Sequence, residues 1–162
     1  MKINAALAFL PLALAAPAQL QKRLPNHTPV DVEGLDSDFT VNCGKTKVDG
    51  ADIHKAVSWG VNLEVAGDQL GSGNYPHYYG NNGGTRFKFL DPACDQNPQN
   101  KRKEFPVVKG GYFEGENDTA YKFRAIYLFD TADPWTQNPK AIYCGTIYHG
   151  KNDFEGCDVG KQ

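Results

Sequence analysis

The chain has 162 residues, with 17 Lys and Arg against 19 Asp and Glu, a formal charge of −2 at pH 7 and 40% apolar residues. That length suits one hydrophobic core rather than two. The charge excludes a binder that relies on dense Lys and Arg to release counterions from a polyanion, so any contact with one has to be local.

In chain order, Lys2 supplies a positive n-region, Ala5 to Ala16 an apolar h-region and Ala16-Pro17-Ala18 a small-residue exit, which predicts a secretory signal over residues 1–18. Lys22-Arg23 precedes the turn-prone Leu24-Pro25-Asn26 and predicts a pro-segment over 19–23. Removing Lys2, Lys22 and Arg23 leaves 14 basic against 19 acidic residues, a charge of −5. No later apolar run approaches membrane-spanning length, so the expectation is a secreted, extracellular protein without membrane contact. Residues 24–40, rich in Pro, Asp, Ser and Gly, are expected to form an extended arm, with a packed domain over 41–162.

Ile53, Val57 and Val61, flanked by Ala56, Trp59 and Leu63, trace a helical stripe from Asp52 to Val65. Asp49 or Asp52 would cap its start, and Gly67 ends it. After Gly71 the pattern changes to short β-rich segments: Thr85 to Phe89, a weaker strand at Glu104 to Val108 because Pro106 removes a ladder donor, Tyr121 to Phe129, and Lys140 to His149. Loops are expected at 80–84, 92–102, 110–119, 130–139 and 150–153. One helix followed by antiparallel strands defines an α+β fold, a helix packed on a twisted sheet.

Cys43, Cys94, Cys144 and Cys157 are an even set without a CxxC pair, which predicts two disulfides rather than a zinc site. Three connectivities are open; one of them, Cys43–Cys157 with Cys94–Cys144, would clip the domain ends and tie a loop to a late strand. Asn26-His27-Thr28 and Asn117-Asp118-Thr119 are glycosylation acceptors.

The chemistry-bearing residues are Tyr75 and His77 in the run Tyr75-Pro76-His77-Tyr78-Tyr79, Glu104 before Phe105-Pro106, Arg124, and a late His149. Metal-free RNA cleavage needs a base for the 2′-hydroxyl, an acid for the leaving 5′-oxygen and donors around the phosphate. Glu104 is the candidate base, His149 the acid, His77 a second imidazole beside the 2′-hydroxyl, Arg124 the phosphate ligand and Tyr75 a phenolic donor. Strand alternation puts Arg124 on one face with Lys122, Ile126 and Leu128, opposite Tyr121, Phe123 and Tyr127. Structural readings stand beside these: a packed His77, a strand-ending His149, an ion-paired Arg124 on an exposed face, and a Glu104 that balances Lys101-Arg102-Lys103.

The ordered motifs YPHYY, EFPVV, FRAIY, YCGTIYHG and NDFEGC, spread over residues 41–157, resemble the fungal secreted ribonucleases, a superfamily of guanyl- and purine-specific enzymes and sarcin-like ribotoxins. The resemblance implies the microbial ribonuclease fold and an active site at Tyr75, His77, Glu104, Arg124 and His149. It places Phe154 beside the leaving group and Asn152 against the base. It also implies the pairing Cys43–Cys157 and Cys94–Cys144, no metal or other cofactor, RNA as substrate and a monomer.

Two departures bear on specificity. No acidic residue occupies 80–86, where guanyl-specific members read guanine, and the stretch from Cys94 to Glu104 is short where ribotoxins carry a long lysine-rich loop. The implied function is a metal-independent endoribonuclease that forms a 2′,3′-cyclic phosphate and then a 3′-phosphate, and a cytotoxic fungal effector role is compatible with it. The alternatives are a ribotoxin that cleaves ribosomal RNA and a ribonuclease-like effector that binds RNA or a host protein.

Overall fold

The computed structural model describes residues 25–36, 38–82, 87–97, 101–132, 137–151 and 153–160. The expected signal and pro-segment, and Asn152, lie outside the described residues.

The principal helix α1 spans Gly50–Ala66, starting two residues before the apolar stripe. Asp49 takes the N-cap position, but its side chain makes no capping bond, and Gly67 closes the helix in the left-handed region at φ 67°. Asp52, buried in the first turn, instead accepts from the Gly110 amide at 2.9 Å and pairs with Lys55 at 3.7 Å, tying a distant loop to the helix start. Ile53, Val57, Val61 and Leu63 of α1 enter the core completely. Gly60 is the point of closest approach to the sheet: a Cβ there would lie 2.8 Å from the Tyr127 hydroxyl and 3.2 Å from the Phe105 ring.

The helix packs on a twisted sheet of six strands. In spatial order its main path runs β1 (Asp31–Glu33), β7 (Pro139–His149), β6 (Phe123–Ala132), β5 (Arg102–Pro106) and β4 (His77–Tyr78), and β8 (Phe154–Gly156) pairs with the far end of β7. All pairs are antiparallel except β1–β7. A second sheet joins the hairpin of β2 (Thr40–Cys43) and β3 (Thr46–Asp49) to β9 (Asp158–Gly160). The architecture is the expected α+β one, a main helix on a largely antiparallel sheet.

Alternation along β5, β6 and β7 divides the interior into two clusters. Phe105, Ala125, Tyr127, Ala141 and Tyr143 face α1. Ile126, Leu128, Cys144 and Ile147 face the other way, against Phe89 and Cys94. Disulfides Cys43–Cys157 and Cys94–Cys144 form as the resemblance implied; the first closes a separation of 114 residues and ties β2 to the end of the fold.

Four expectations are corrected. Val30 and Leu35 are core residues and β1 completes the sheet, so packing begins ahead of position 41; the polar composition of 24–40 conceals a few well-placed apolar groups. Residues 87–89 are not a strand. The Asn81 side chain donates to the Phe87 carbonyl at 2.8 Å and accepts from its amide at 2.9 Å, occupying the groups a ladder would use. The expected loop at 92–102 contains the short helix α2 (Pro92–Gln96), which begins with proline and is capped by Asp91 accepting from the Ala93 amide at 2.8 Å. Val107 and Val108 lie beyond the end of β5, which stops at Pro106, where the ring has no amide hydrogen to donate. Among the described residues, no helix is long and apolar enough to cross a membrane.

Candidate active site

Cross-strand register assembles the site. His77 pairs with Glu104, Glu104 with Ile126, Pro106 with Arg124, Arg124 with Ile147, and His149 with Phe154. Residues opposite one another across a ladder share a face, as do residues two apart along a strand. His77, Glu104 and Arg124 therefore stand on the face away from α1.

His149 reaches that face because of an irregularity. Leu128 pairs with Ile142 and Arg124 with Ile147, so four steps on β6 match five on β7, and the extra residue falls between the partners of Ile126 and Tyr127. Such a bulge shifts the phase of every later side chain. Without it, Ile147 and His149 would point toward the helix. Gly145, at φ 137°, sits in the bulge, and a Cβ there would fall 2.3 Å from the Phe87 ring.

The His77 ring lies between two acceptors. Nδ1 is 2.6 Å from the Gly73 carbonyl, and Nε2 is 2.6 Å from Glu104 Oε1. Both partners are acceptors, a setting that favours the protonated ring, and the Glu104 hydrogen bond, against partial burial, raises the His77 pKa above its ordinary value. Tyr75 stacks on the same ring at 4.5 Å. Glu104 is 8% exposed, and its Oε2 is buried without a hydrogen-bond partner among the described residues.

Arg124 is 2% exposed, which removes the reading of an ion pair on an exposed face. Its Nε donates to the Tyr75 hydroxyl at 3.1 Å and its guanidinium carbon lies 5.1 Å from the Tyr75 ring centroid. Nη1 donates to the Phe123 carbonyl at 3.1 Å and to that of Tyr121. These contacts hold the cation in place and leave the Tyr75 O–H as a donor.

His149 ends β7, its amide donating to the Lys122 carbonyl at 3.0 Å and its exposed ring resting 4.0 Å from that of Phe154. Partial burial, then the Arg124 charge, push its pKa below the ordinary value. Ser72, Gly73, Tyr75, Thr119, Lys122, Arg124 and His149 line one open cleft of about 480 Å³. The two histidines thus carry opposite shifts, one ring fixed against a carboxylate and the other close to a guanidinium.

The basic run 101–103 does not surround Glu104. Arg102 is buried, donating to the Tyr79 carbonyl at 3.0 Å and the Cys94 carbonyl at 2.6 Å, with its guanidinium 4.2 Å from the Phe89 centroid. Lys103 points to the other face and pairs with Glu64 at 3.8 Å. Glu104 is held by His77 instead. Sequence reasoning missed the Gly73 carbonyl and the bulge; the only available signal was glycine at 73 and 145. Among the described residues no group of three or more His, Cys, Asp or Glu side chains is placed to hold a metal ion.

A main helix on a largely antiparallel sheet that carries a histidine–carboxylate pair, a buried arginine and a second histidine along one face is consistent with the microbial ribonuclease fold. The ribonuclease family model matches residues 36–158, most of the chain, and the protein belongs to that family of RNA-cleaving proteins. No curated protein matches the chain.

Proposed function

We propose that the protein is a secreted endoribonuclease that cleaves single-stranded RNA by internal transesterification. The observation that carries this reading is the 2.6 Å His77–Glu104 contact beside a cleft shared by Tyr75, Arg124 and His149. Glu104, hydrogen-bonded to the His77 ring, takes the proton of the 2′-hydroxyl, whose oxygen attacks phosphorus. The P–O5′ bond breaks as His149 protonates the departing oxygen, leaving a 2′,3′-cyclic phosphate. Arg124 and the Tyr75 hydroxyl stabilise charge on the phosphorane oxygens. In the second step His149 takes a proton from water, which attacks phosphorus, and Glu104 returns a proton to the 2′-oxygen as the ring opens to a 3′-phosphate.

Glu104 Oε2, without a hydrogen-bond partner among the described residues, supports the assignment of the base. A buried acceptor without a donor costs about 1–3 kcal/mol, and Oε2 is the carboxylate oxygen that the His77 bond leaves to accept a proton. Phe154, packed on His149, keeps that ring oriented toward the leaving group, and Asn152 contacts the base. The protein acts as a monomer and needs no cofactor, and an extracellular, cytotoxic effector role fits its predicted leader and its two disulfides.

Digestion of total RNA by purified protein, with His149→Ala as control, tests the proposal. Broad degradation that His149→Ala lowers by about 10²- to 10⁴-fold is expected for loss of a general acid. A single discrete ribosomal fragment would turn the reading to a ribotoxin, and absence of cleavage to an RNA- or protein-binding effector.

A further inference from the structure

Two of the groups that fix the His77 ring, the Gly73 carbonyl and the Tyr75 ring, come from the segment between α1 and β4. Gly67 turns the chain out of the helix, and Leu70 and Tyr75 then close residues 70–75 into a loop by exchanging backbone bonds of 2.7 and 2.8 Å. Inside it the Asn74 amide donates to the Gly71 carbonyl at 3.2 Å, with both residues in the left-handed region, at φ 53° and 71°. The loop closes at Tyr75 and β4 begins at His77. Pro76, which has no amide hydrogen to anchor it, is left between them.

One side chain spans that gap. Gln69 Nε2 donates to the Asn74 carbonyl at 2.8 Å and to the Pro76 carbonyl at 3.0 Å. Both partners are acceptors, so the amide nitrogen rather than its oxygen faces them, and its two hydrogens match the two carbonyls that flank Tyr75. The pair of bonds sets the separation of residues 74 and 76. It thereby sets the direction from which Tyr75 enters the site and the place of His77 relative to Gly73. Gln69 is exposed and does not line the cleft, so it reaches the reaction only through these residues.

We propose that Gln69 is a positioning residue for RNA cleavage, its carboxamide holding the 74–76 backbone so that Tyr75 stays stacked on His77 and the Gly73 carbonyl stays on His77 Nδ1. The inference rests on the ribonuclease reading of the site and adds to it a residue outside the cleft. The charged groups that act on His77 are Glu104 from β5 and Arg124 from β6. The Glu104 bond raises the His77 pKa, burial lowers it, the Gly73 bond raises it and the Arg124 charge lowers it. Loosening the Gly73 carbonyl therefore moves the ring's titration downward, which a loss of packing elsewhere does not do.

The test compares wild type with Gln69→Leu, which removes both donors without adding charge, and with Gln69→Lys, whose ammonium supplies donors again. Because Gln69 is exposed, neither change touches the core. On single-stranded RNA, Gln69→Leu is expected to lower kcat per folded molecule about 10- to 10²-fold, the scale of a small misplacement of reacting groups. KM should change little, since Gln69 touches no substrate, and Gln69→Lys should recover most of the lost kcat. The His77 ring protons, followed by NMR against pH, should titrate at lower pH in Gln69→Leu than in wild type. An unchanged kcat, a rise in KM alone, a fall in kcat without a move of the His77 midpoint, or equal losses in both variants overturns the positioning role and leaves the ribonuclease reading intact. A wild type that cleaves no RNA overturns both.

Discussion

Glu104→Gln removes the proposed base with little change in shape, and the surroundings of the carboxylate determine its effect. Oε1 lies 2.6 Å from His77 Nε2, and Oε2 is buried with no donor or acceptor to meet it among the described residues. A carboxamide has two ways to fit. With its oxygen toward His77, its NH₂ occupies the buried Oε2 position and lacks an acceptor, at a cost of about 1–3 kcal/mol. With its NH₂ toward His77, donor faces donor, and the imidazole has to lose its proton.

Turnover in Glu104→Gln should fall about 10²- to 10⁴-fold. Stability should change with a definite pH dependence. The His77 pKa is raised above 6.5 in the folded protein, chiefly by the Glu104 hydrogen bond, so this contribution is fully present below pH 6.5 and lost as pH rises through the folded pKa. The stability gap between wild type and variant should therefore be wider at about pH 6 than at about pH 9. Initial rates on single-stranded RNA and urea unfolding at both pH values measure the two effects. A variant within tenfold of wild-type activity, or a gap that grows toward alkaline pH, refutes the reasoning.

The lowered His149 pKa makes a second prediction: the acid has to be protonated, so the falling alkaline limb of kcat/KM should have its midpoint below 6.5, and a midpoint well above that value would contradict the assignment. Gly145→Ala should destabilise the protein by at least the roughly 1–3 kcal/mol of an overpacked core, because the new methyl meets the Phe87 ring at 2.3 Å and the backbone lies at φ 137°. Thermal melting reads the stability loss, and rates per folded molecule should fall as well, since the bulge orients His149; an unchanged Tm and rate would refute both expectations.

Much of the framework was legible because it depends on periodicity. The stripe through Ile53, Val57 and Val61 located α1, and period-two alternation placed Arg124, Ile126 and Leu128 together, as the two clusters show. The same period misleads at β7, where counting back from His149 without the bulge puts it on the wrong face. Bulges have no strict residue pattern, and Gly145 marks this one only once its position against Phe87 is known.

Short pieces held by single contacts were the least visible. Strand β1 contributes three residues to the sheet, and residues 87–89 stay out of it because of one asparagine. In the site, residue types were readable while their partners were not. A glutamate after three basic residues invites pairing with them, yet strand alternation sends Lys103 to Glu64 and leaves Glu104 to His77. The backbone carbonyl that fixes His77 Nδ1 belongs to Gly73, which has no side chain to announce it.

The most direct test of internal transesterification tracks GpC and ApC cleavage by ³¹P NMR, in EDTA, beside the same dinucleotides lacking the first 2′-hydroxyl. A 2′,3′-cyclic phosphate that accumulates and then converts to the 3′-phosphate, with the deoxy substrates inert, is the predicted result. Cleavage of the deoxy substrates, or release of a 5′-phosphate, would contradict the roles assigned to Glu104 and His149.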